Sequence, residues 1–211
     1  MLKQPAKHSL NRGVLIAIEG IDGAGKTTQA ELLRKNLEGK GYQVEAFKEP
    51  TSAETGDRIR QLGKNGRTEA VEVEFKLFLE DRRYDVQHNI LPALASGKVV
   101  IVDRYYYSSM AYQGARGMSP QYIEQENLKF APKPDLTIFL DISPQTAEER
   151  IRSRNQGKNH FERSLKPIRD IFKQMMEDHP EITAINGEED AETVDSKILD
   201  AVLPVIANYQ D

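Results

Sequence analysis

The sequence predicts an α/β fold with three layers, in which a parallel five-stranded sheet has helices on both faces. Five short, mostly apolar runs are typical of buried strands, and long polar segments with helical periodicity separate them. A chain that alternates strand and helix in this way forms a parallel sheet. The five runs are Val14–Ile18, Val44–Phe47, Val99–Val102, Leu136–Leu140 and Ile182–Ile185.

A glycine-rich loop comes directly after the first of these runs. The octapeptide from Gly20 to Thr27 matches the pattern G-x-x-x-x-G-K-[ST], and the segment after it has apolar residues at helical spacing, among them Leu33 and Leu37. Backbone N–H groups of such a loop point inward and, with the positive end of the helix dipole, bind a polyphosphate. A glycine-rich turn that binds no nucleotide is the alternative. The strand, the loop, the lysine and the helix stand in one register, which favours the phosphate-binding loop.

This loop is typical of the P-loop NTPase fold and predicts a site for a nucleotide polyphosphate with Mg²⁺. We expect Lys26 to reach the β- and γ-phosphates and the Thr27 hydroxyl to take one position on Mg²⁺. The predicted nucleotide-binding residues are Gly20, Ile21, Asp22, Gly23, Ala24, Gly25, Lys26, Thr27 and Thr28.

Glycine, serine and proline mark the helix ends. Gly39 and Gly41 are expected to end the first helix, Gly97 to end a long one, and Ser143-Pro144 to begin another with serine as its N-cap. The sequence contains no repeat or linker, so residues 13–211 are predicted to form one domain. Residues 1–12 lack an apolar core and do not resemble a secretory signal, so they are predicted to be a flexible extension.

The composition limits the class of protein. The chain has 211 residues, 38% hydrophobic content, a net charge of −4 and no cysteine. It can bury one good core, no stretch approaches the ~20 apolar residues of a membrane span, and the negative charge argues against a general nucleic-acid binder. The lack of cysteine excludes disulfides and thiol catalysis and agrees with a cytoplasmic location.

Acidic residues stand at the ends of two predicted strands, where the ligands of a parallel sheet bind. Asp103-Arg104 ends the third strand, and there the carboxylate can act near Mg²⁺ and the arginine can bind phosphate in a bidentate manner. An ordinary surface pair is the alternative, and Asp141 shows that the apolar-then-acid pattern has low specificity. The two differ in context, because Asp141 leads into the helix start at Ser143-Pro144, whereas Asp103 opens a segment rich in tyrosine and serine. Thr27 and Asp103 are the predicted metal ligands.

With that segment included, the chain resembles the thymidylate kinase family of nucleoside monophosphate kinases. Residues 102–113, with the sequence VDRYYYSSMAYQ, resemble the family's Asp-Arg-Tyr…Ser…Ala-Tyr signature, and residues 19–29 resemble its phosphate-binding loop. Further similarity lies, in family order, in Glu49-Pro50, Leu77 to Arg82, Pro134-Asp135-Leu136, Leu140-Asp141, and Arg150 to Arg154 before Phe161-Glu162.

The resemblance implies phosphoryl transfer from ATP to dTMP, giving dTDP and ADP. It implies that Phe78 stacks on thymine, that Arg82 hydrogen-bonds the base, that Arg104 holds the acceptor phosphate and that Tyr112 crowds the sugar. From spacing alone, core packing is an equal alternative for Phe78. The substrate-binding residues implied in this way are Asp22, Glu49, Pro50, Phe78, Arg82, Arg104, Ser109, Tyr112 and Gln113.

The chain departs from the family pattern near the expected substrates. Thr51-Ser52-Ala53 stands where many members have Gly-Gly-Thr, and Asn159-His160-Phe161-Glu162 where many have Asp-Arg-Phe-Glu. Some members have an arginine in the phosphate-binding loop where this chain has Gly23, so a lid at about 150–162 is expected to supply the positive charge. A solvated run of charge is the alternative for the lid. The catalytic candidates are Lys26, Asp103, Arg104, Arg150, Arg152 and Arg154.

Other functions stay open at this stage. The motifs expected of a GTPase are not in place, but the acceptor could be dUMP, UMP or CMP, and a weakly catalytic nucleotide-binding protein remains an alternative. A homodimer is expected chiefly from the resemblance. The segment from Val71 to Leu94 has apolar residues around more than one side and could bury one of them against a second copy.

Overall fold

The centre of the fold is a parallel sheet with the strand order β2-β3-β1-β4-β5. It is seen in a computed structural model that describes residue 8 and residues 10–66, 69–155 and 164–210, without the side chains of residues 154 and 155. Within these ranges the strands are β1 Val14–Glu19, β2 Val44–Lys48, β3 Val99–Asp103, β4 Leu136–Asp141 and β5 Ile182–Asn186. The five predicted strands are confirmed, and each runs one residue beyond its apolar pattern.

The extra residue of each strand is polar. Burial requires apolar side chains inside the sheet, but the backbone pairing continues to the carboxyl edge, where polar side chains can reach a ligand. The register places Lys48 beside Asp103 there, and Asp141 beside Asn186. Functional groups therefore concentrate at this edge.

Helices cover both faces of the sheet, which confirms the predicted three-layer α/β fold. All residues of β1 and β3 are buried, although successive side chains of a strand point to opposite faces. The helices of the described ranges are α1 Lys26–Gly39, α2 Glu54–Lys64, α3 Val71–Asp85, α4 Leu91–Ala95, α5 Tyr106–Gly114, α6 Pro120–Leu128, α7 Pro144–Asn155, α8 Lys166–Asp178 and α9 Ala191–Ala207, and a π-helical turn, Val86–Ile90, joins α3 to α4. Among these helices none combines the length and apolar character needed to cross a membrane.

The observed helix ends lie where the glycine and serine residues predicted them. Gly39 is the last residue of α1, and Gly41 and Gly97 have positive φ angles of 95° and 68° just beyond the ends of α1 and α4. The Ser143 hydroxyl accepts a hydrogen bond of 3.1 Å from the backbone N–H of Thr146 at the start of α7, as expected of an N-cap.

Residues just before the predicted domain boundary contact the C-terminus. Leu10 pairs with Gln210 in an antiparallel bridge and joins the hydrophobic core. The Arg12 guanidinium lies 3.8 Å from the centre of the Tyr209 ring and pairs with Asp135. Leu10 and Arg12 belong to the segment 1–12, which the sequence predicts to be a flexible extension. Residues 1–7 and 9 of that segment lie outside the described residues.

Helix α2 begins directly against the loop after β2. A Cβ atom added to Gly56 would lie 1.9 Å from the carbonyl oxygen of Thr51, whereas one added to Gly63, in the same helix, would have nothing within 4 Å. Only glycine permits this approach of helix and loop.

Gly56→Ala should therefore lower the free energy of unfolding by ~1–3 kcal/mol through overpacking. Gly63→Ala is the matched control and should leave the stability unchanged or raise it by up to about 1 kcal/mol, because alanine has the higher helix propensity. Urea denaturation of the two variants measures both effects. Equal stabilities would contradict the close approach at Gly56.

Candidate active site

A small polar cavity lies at the carboxyl edge, between the phosphate-binding loop and the ends of β2 and β3. We call it the phosphate cavity. Its volume is about 180 Å³, and its lining is Asp22, Gly23, Gly25, Lys26, Thr27, Thr28, Lys48, Asp103 and Arg104. The predicted strand, loop and helix thus form a pocket that combines the glycine-rich loop with the cations Lys26, Lys48 and Arg104, which suits a polyphosphate.

Lys26 is folded over the loop. Its ammonium group donates to the carbonyl oxygens of Gly20, at 2.9 Å, and Ile21, at 2.7 Å. Burial, together with the positive charge of Arg104, lowers the pKa of Lys26 to about 7, although nearby carboxylates oppose the shift. A phosphate group in the cavity would provide a strong negative partner for this buried ammonium group.

Lys48, which the sequence analysis did not single out, bridges the two predicted metal ligands. Its ammonium group lies 2.6 Å from the Thr27 hydroxyl and 2.9 Å from Oδ2 of Asp103. The other carboxylate oxygen of Asp103 is buried and has no hydrogen-bond partner among the described residues. Hard oxygen donors around a point that already attracts a cation fit Mg²⁺. The position of Lys48 directly after the apolar run Val44–Phe47 was the sequence signal that could have found it.

A buried carboxylate holds Arg104 at the cavity wall. Arg104 has a φ of 73°, a conformation that costs energy for a residue with a Cβ. Directly after it, the backbone N–H groups of Tyr105 and Ser108 and the Ser108 hydroxyl donate to Glu19, which is fully buried. Burial raises the pKa of Glu19, and the hydrogen bonds from Ser108 and Tyr105 oppose that shift. This capping of α5 compensates for the strained turn.

A second cavity, which we call the acceptor cavity, adjoins the first and has a volume of about 220 Å³. Its lining is Asp22, Pro50, Ile59, Arg60, Gly63, Phe78, Arg104, Ser108, Ser109, Tyr112 and Gln113. Seven of the nine predicted substrate-binding residues are in this set, including Phe78, for which core packing was the alternative. Asp22 and Arg104 line both cavities, and Arg104 pairs with Asp22.

Glu49 and Arg82 are the two predicted substrate-binding residues that the structure does not bring to the lining. Arg82 is 1% exposed, and its guanidinium donates to Glu49, to the Ser109 hydroxyl and to Asn127. The spacing of four residues puts Arg82 on the same helix face as Phe78, but its long side chain turns into the core to meet a buried carboxylate. Ser109 links this ion pair to the cavity wall.

The sequence analysis missed the contribution of α2. Gly56, Ile59, Arg60 and Gly63 have the i, i+3, i+4, i+7 spacing of one helix face, and the last three line the acceptor cavity. Arg60 donates to the carbonyl oxygens of Pro50 and Thr51 and thereby ties the helix to the loop. The helical spacing was the signal that could have found this face.

The loop at residues 51–53, which departs from the family pattern, is held by a buried carboxylate. The carboxylate of Asp81, which is buried in α3, accepts hydrogen bonds from the backbone N–H of Thr51, at 2.7 Å, and from the Thr51 hydroxyl, at 2.6 Å. The Thr55 hydroxyl donates to the same carboxylate. A threonine here uses its hydroxyl to fasten the loop to α3, which a glycine could not do.

Helix α7 packs against the phosphate-binding loop at Gly23. This glycine has a φ of 84°, and a Cβ atom on it would lie 2.7 Å from the carbonyl oxygen of Ala147. An arginine at this position would clash with α7. Of the lid candidates, Arg150 and Arg152 lie in α7 and line neither cavity. The Arg154 side chain and residues 156–163 lie outside the described residues.

The fold and the two cavities define a P-loop phosphotransferase that takes a phosphorylated acceptor beside its nucleotide. Residues 18–198 match the family model described as thymidylate kinase. The chain is 46% identical over 172 residues to a probable thymidylate kinase from Archaeoglobus fulgidus, covering 82% of this chain and 85% of that protein. It is 49% identical over 162 residues to a thymidylate kinase from Xanthomonas campestris pv. campestris, covering 76% and 70%.

A solved structure agrees with these sequence matches. The crystal structure of thymidylate kinase from Ehrlichia chaffeensis superposes with a TM-score of 0.71 and 26% sequence identity, covering 90% of this chain and 98% of that one. The chain belongs to the thymidylate kinase family.

Loss of Arg82 should destabilise the protein. Arg82→Met leaves the Glu49 carboxylate buried without a cation, and breaking a buried pair in this way costs ~3–5 kcal/mol of unfolding free energy. Adding Glu49→Gln should recover part of that loss, because it removes the unpaired charge. Urea denaturation measures both. If the Arg82→Met variant is as stable as the wild type, the ion pair between Arg82 and Glu49 does not stabilise the fold.

ATP binding should be accompanied by proton uptake at pH 8. Burial lowers the pKa of Lys26 to about 7, and a phosphate beside the ammonium group raises it. The affinity for ATP should therefore fall as the pH rises above 7, by up to about tenfold per pH unit.

Titration calorimetry at pH 8 in two buffers of different ionisation enthalpy measures the uptake. In the Lys26→Arg variant, whose guanidinium is always protonated, it should vanish. A wild type without uptake would show that Lys26 is already charged before ATP binds.

Proposed function

We propose that the protein transfers the γ-phosphoryl group of ATP to dTMP, giving dTDP and ADP. Membership of the thymidylate kinase family supports this reaction. The observation that carries it is the position of Arg104, which lines both cavities and therefore lies where a donor and an acceptor phosphate would meet.

The donor phosphates belong in the phosphate cavity. The loop N–H groups and Lys26 would bind the β- and γ-phosphates, and Thr27 and Asp103 would hold Mg²⁺, which would supply charge neutralisation. Transfer between two phosphates needs positioning, charge neutralisation and exclusion of water. The acceptor is an ionised phosphate oxygen, so a strong general base is not required.

The nucleoside of dTMP belongs in the acceptor cavity. Phe78 offers an aromatic face for stacking on the base, Arg104 binds the monophosphate, and Tyr112 lies beside Arg104, with 5.2 Å between the guanidinium carbon and the ring centre. Arg60 adds a second cation at the cavity wall. A direct hydrogen bond from Arg82 to the base stays a prediction, and the contact with Ser109 supports an action through that hydroxyl.

A coupled assay of ADP release with dTMP, dUMP, UMP and CMP tests the function. We expect the highest kcat/KM with dTMP, and Arg104→Met should lower it by ~10²-fold or more, the scale of one charge-stabilising donor. The control is Arg34→Met, which removes a partly exposed surface arginine paired with Glu31 and Glu38 and should leave kcat/KM within about twofold of the wild type.

Each other outcome has a clear meaning. A higher kcat/KM with another monophosphate assigns a different acceptor. The lack of turnover with all four, in a protein that binds ATP, favours the weakly catalytic nucleotide-binding protein.

The lid arginines are proposed to supply the positive charge that Gly23 does not. Such an arginine acts on the transferring phosphate, so its removal lowers kcat far more than dTMP binding. At least one of Arg150→Ala, Arg152→Ala and Arg154→Ala should lower kcat by about a hundredfold or more, with Arg154 as the first candidate. If all three stay within a few-fold of the wild type, the lid is only a cover.

A homodimer is proposed through the outer face of α3 and α4. Val73, Tyr84 and Leu91 on this segment are 44–46% exposed, which leaves large apolar side chains for a second copy to cover. Sedimentation at micromolar concentration should give twice the mass of the chain, and Tyr84→Glu with Leu91→Glu should give the monomer. A monomeric wild type would overturn this assembly.

A further inference from the structure

One end of the Gln113 side-chain amide is unsatisfied. Gln113 lines the acceptor cavity and is 1% exposed. Its Nε2 group donates to a carboxylate oxygen of Glu74 over 3.1 Å. Its Oε1 atom is buried and has no hydrogen-bond partner within the described part of the chain. A buried acceptor without a partner is costly, so a ligand that brings an N–H group to it gains a hydrogen bond.

The orientation of this amide is set by the chemistry of Glu74. An amide can turn by 180° and exchange its donor and acceptor ends, but an ionised carboxylate only accepts hydrogen bonds. The NH₂ end of Gln113 must therefore face Glu74, which leaves the carbonyl end for the ligand. A different partner at position 74 would permit the opposite orientation.

Glu74 has a cation as its partner. It is fully buried in α3, and the guanidinium of Arg116 pairs with its second oxygen. Arg116 also donates to the carbonyl oxygen of Glu69, at 2.9 Å. A guanidinium partner favours the ionised carboxylate. Arg116 and Glu74 together fix the direction of the Gln113 amide.

We propose that Glu74 is a positioning residue for base selection, because it makes Gln113 an acceptor for the N3–H group of thymine or uracil. Cytosine has an unprotonated N3 atom, which would face the Gln113 carbonyl as acceptor against acceptor. The inference rests on the proposed function, since it concerns the base of the monophosphate that the acceptor cavity takes. Gln113 contacts the base, and Glu74 acts only through Gln113.

Glu74→Gln should reverse the amide. Arg116 only donates hydrogen bonds, so the carbonyl end of the new glutamine turns to Arg116 and its NH₂ end turns to Gln113. The carbonyl of Gln113 then pairs with that NH₂ end, and the NH₂ end of Gln113 is left for the ligand. A donor at this point suits N3 of cytosine and opposes N3–H of thymine.

Calorimetric titration of dTMP and dCMP without ATP tests the reversal, alongside kcat/KM for both. Glu74→Gln should reduce the preference for dTMP over dCMP by about tenfold or more, the scale of one mismatched buried hydrogen bond. The kcat with saturating dTMP should fall less than the kcat/KM for dTMP, whatever the change in the melting temperature. A purely structural role for Glu74 would lower the melting temperature and leave the preference unchanged, which would overturn the inference.

Arg116→Lys is the matched control. It keeps a cation beside Glu74, so Glu74 stays an acceptor for Gln113 and the preference for dTMP should persist even if the melting temperature falls. If Arg116→Lys loses the preference as Glu74→Gln does, the guanidinium contacts and not the amide direction control selection, and the inference is wrong.

A second variant keeps the test decisive if Glu74→Gln does not fold. Glu74→Met with Arg116→Leu replaces the buried carboxylate and its partly exposed partner with apolar side chains, an exchange that ion pairs in a protein interior often tolerate. It frees the Gln113 amide to turn, so the preference should fall by about tenfold. An unchanged preference would contradict the inference. A wild type that turns over dCMP but not dTMP would instead overturn the proposed function, and these two failures are therefore distinguishable.

Discussion

The buried carboxylate of Glu19 is the interaction on which the site depends. It stands at the end of β1 and accepts hydrogen bonds from the first turn of α5. Those bonds stabilise the strained turn at Arg104, and the Arg104 side chain lines both cavities. Without this carboxylate, the Tyr105 N–H group would be buried without a partner, the Ser108 N–H group would keep only the carbonyl oxygen of Tyr105, and the start of α5 would lose its cap. The geometry of the site thus begins with one desolvated carboxylate in the sheet.

The same device recurs around the acceptor cavity. Asp81 fastens Thr51, Glu49 pairs with Arg82, and Glu74 orients Gln113, and in each case a buried carboxylate fixes a group at or just behind the cavity wall. Carboxylates suit this role because they accept several hydrogen bonds and do not donate when they are ionised, so they determine which end of a partner faces them. Burial makes each bond electrostatically stronger and the loss of a partner more costly. The cavity is therefore shaped by its supporting layer.

Features that depend on local patterns could be predicted from the sequence, whereas features that depend on contacts between distant segments could not. Strands, loop and helix ends could be predicted from local patterns, such as the apolar run before Gly20 and the serine before Pro144. The pairing of Arg82 with Glu49 could not be predicted, because the two residues are 33 positions apart and the choice between base and carboxylate depends on which lies nearer in the folded chain. Helical periodicity could have revealed the α2 face, and the place of Lys48 directly after an apolar run could have revealed Lys48. Neither belongs to a known motif.

The sequence by itself determined the fold class, the phosphate-binding loop and the position of Asp103-Arg104 at a strand end. These depend on residue spacing within single segments of the chain, and that spacing is the same before and after the segments pack together. The tertiary structure alone decided that Arg82 lies in the core, that Lys48 bridges Thr27 and Asp103, and that Gln113 faces Glu74. These outcomes depend on which long side chains meet when separate elements pack, and burial then selects the partners that leave the fewest charges and polar atoms unpaired.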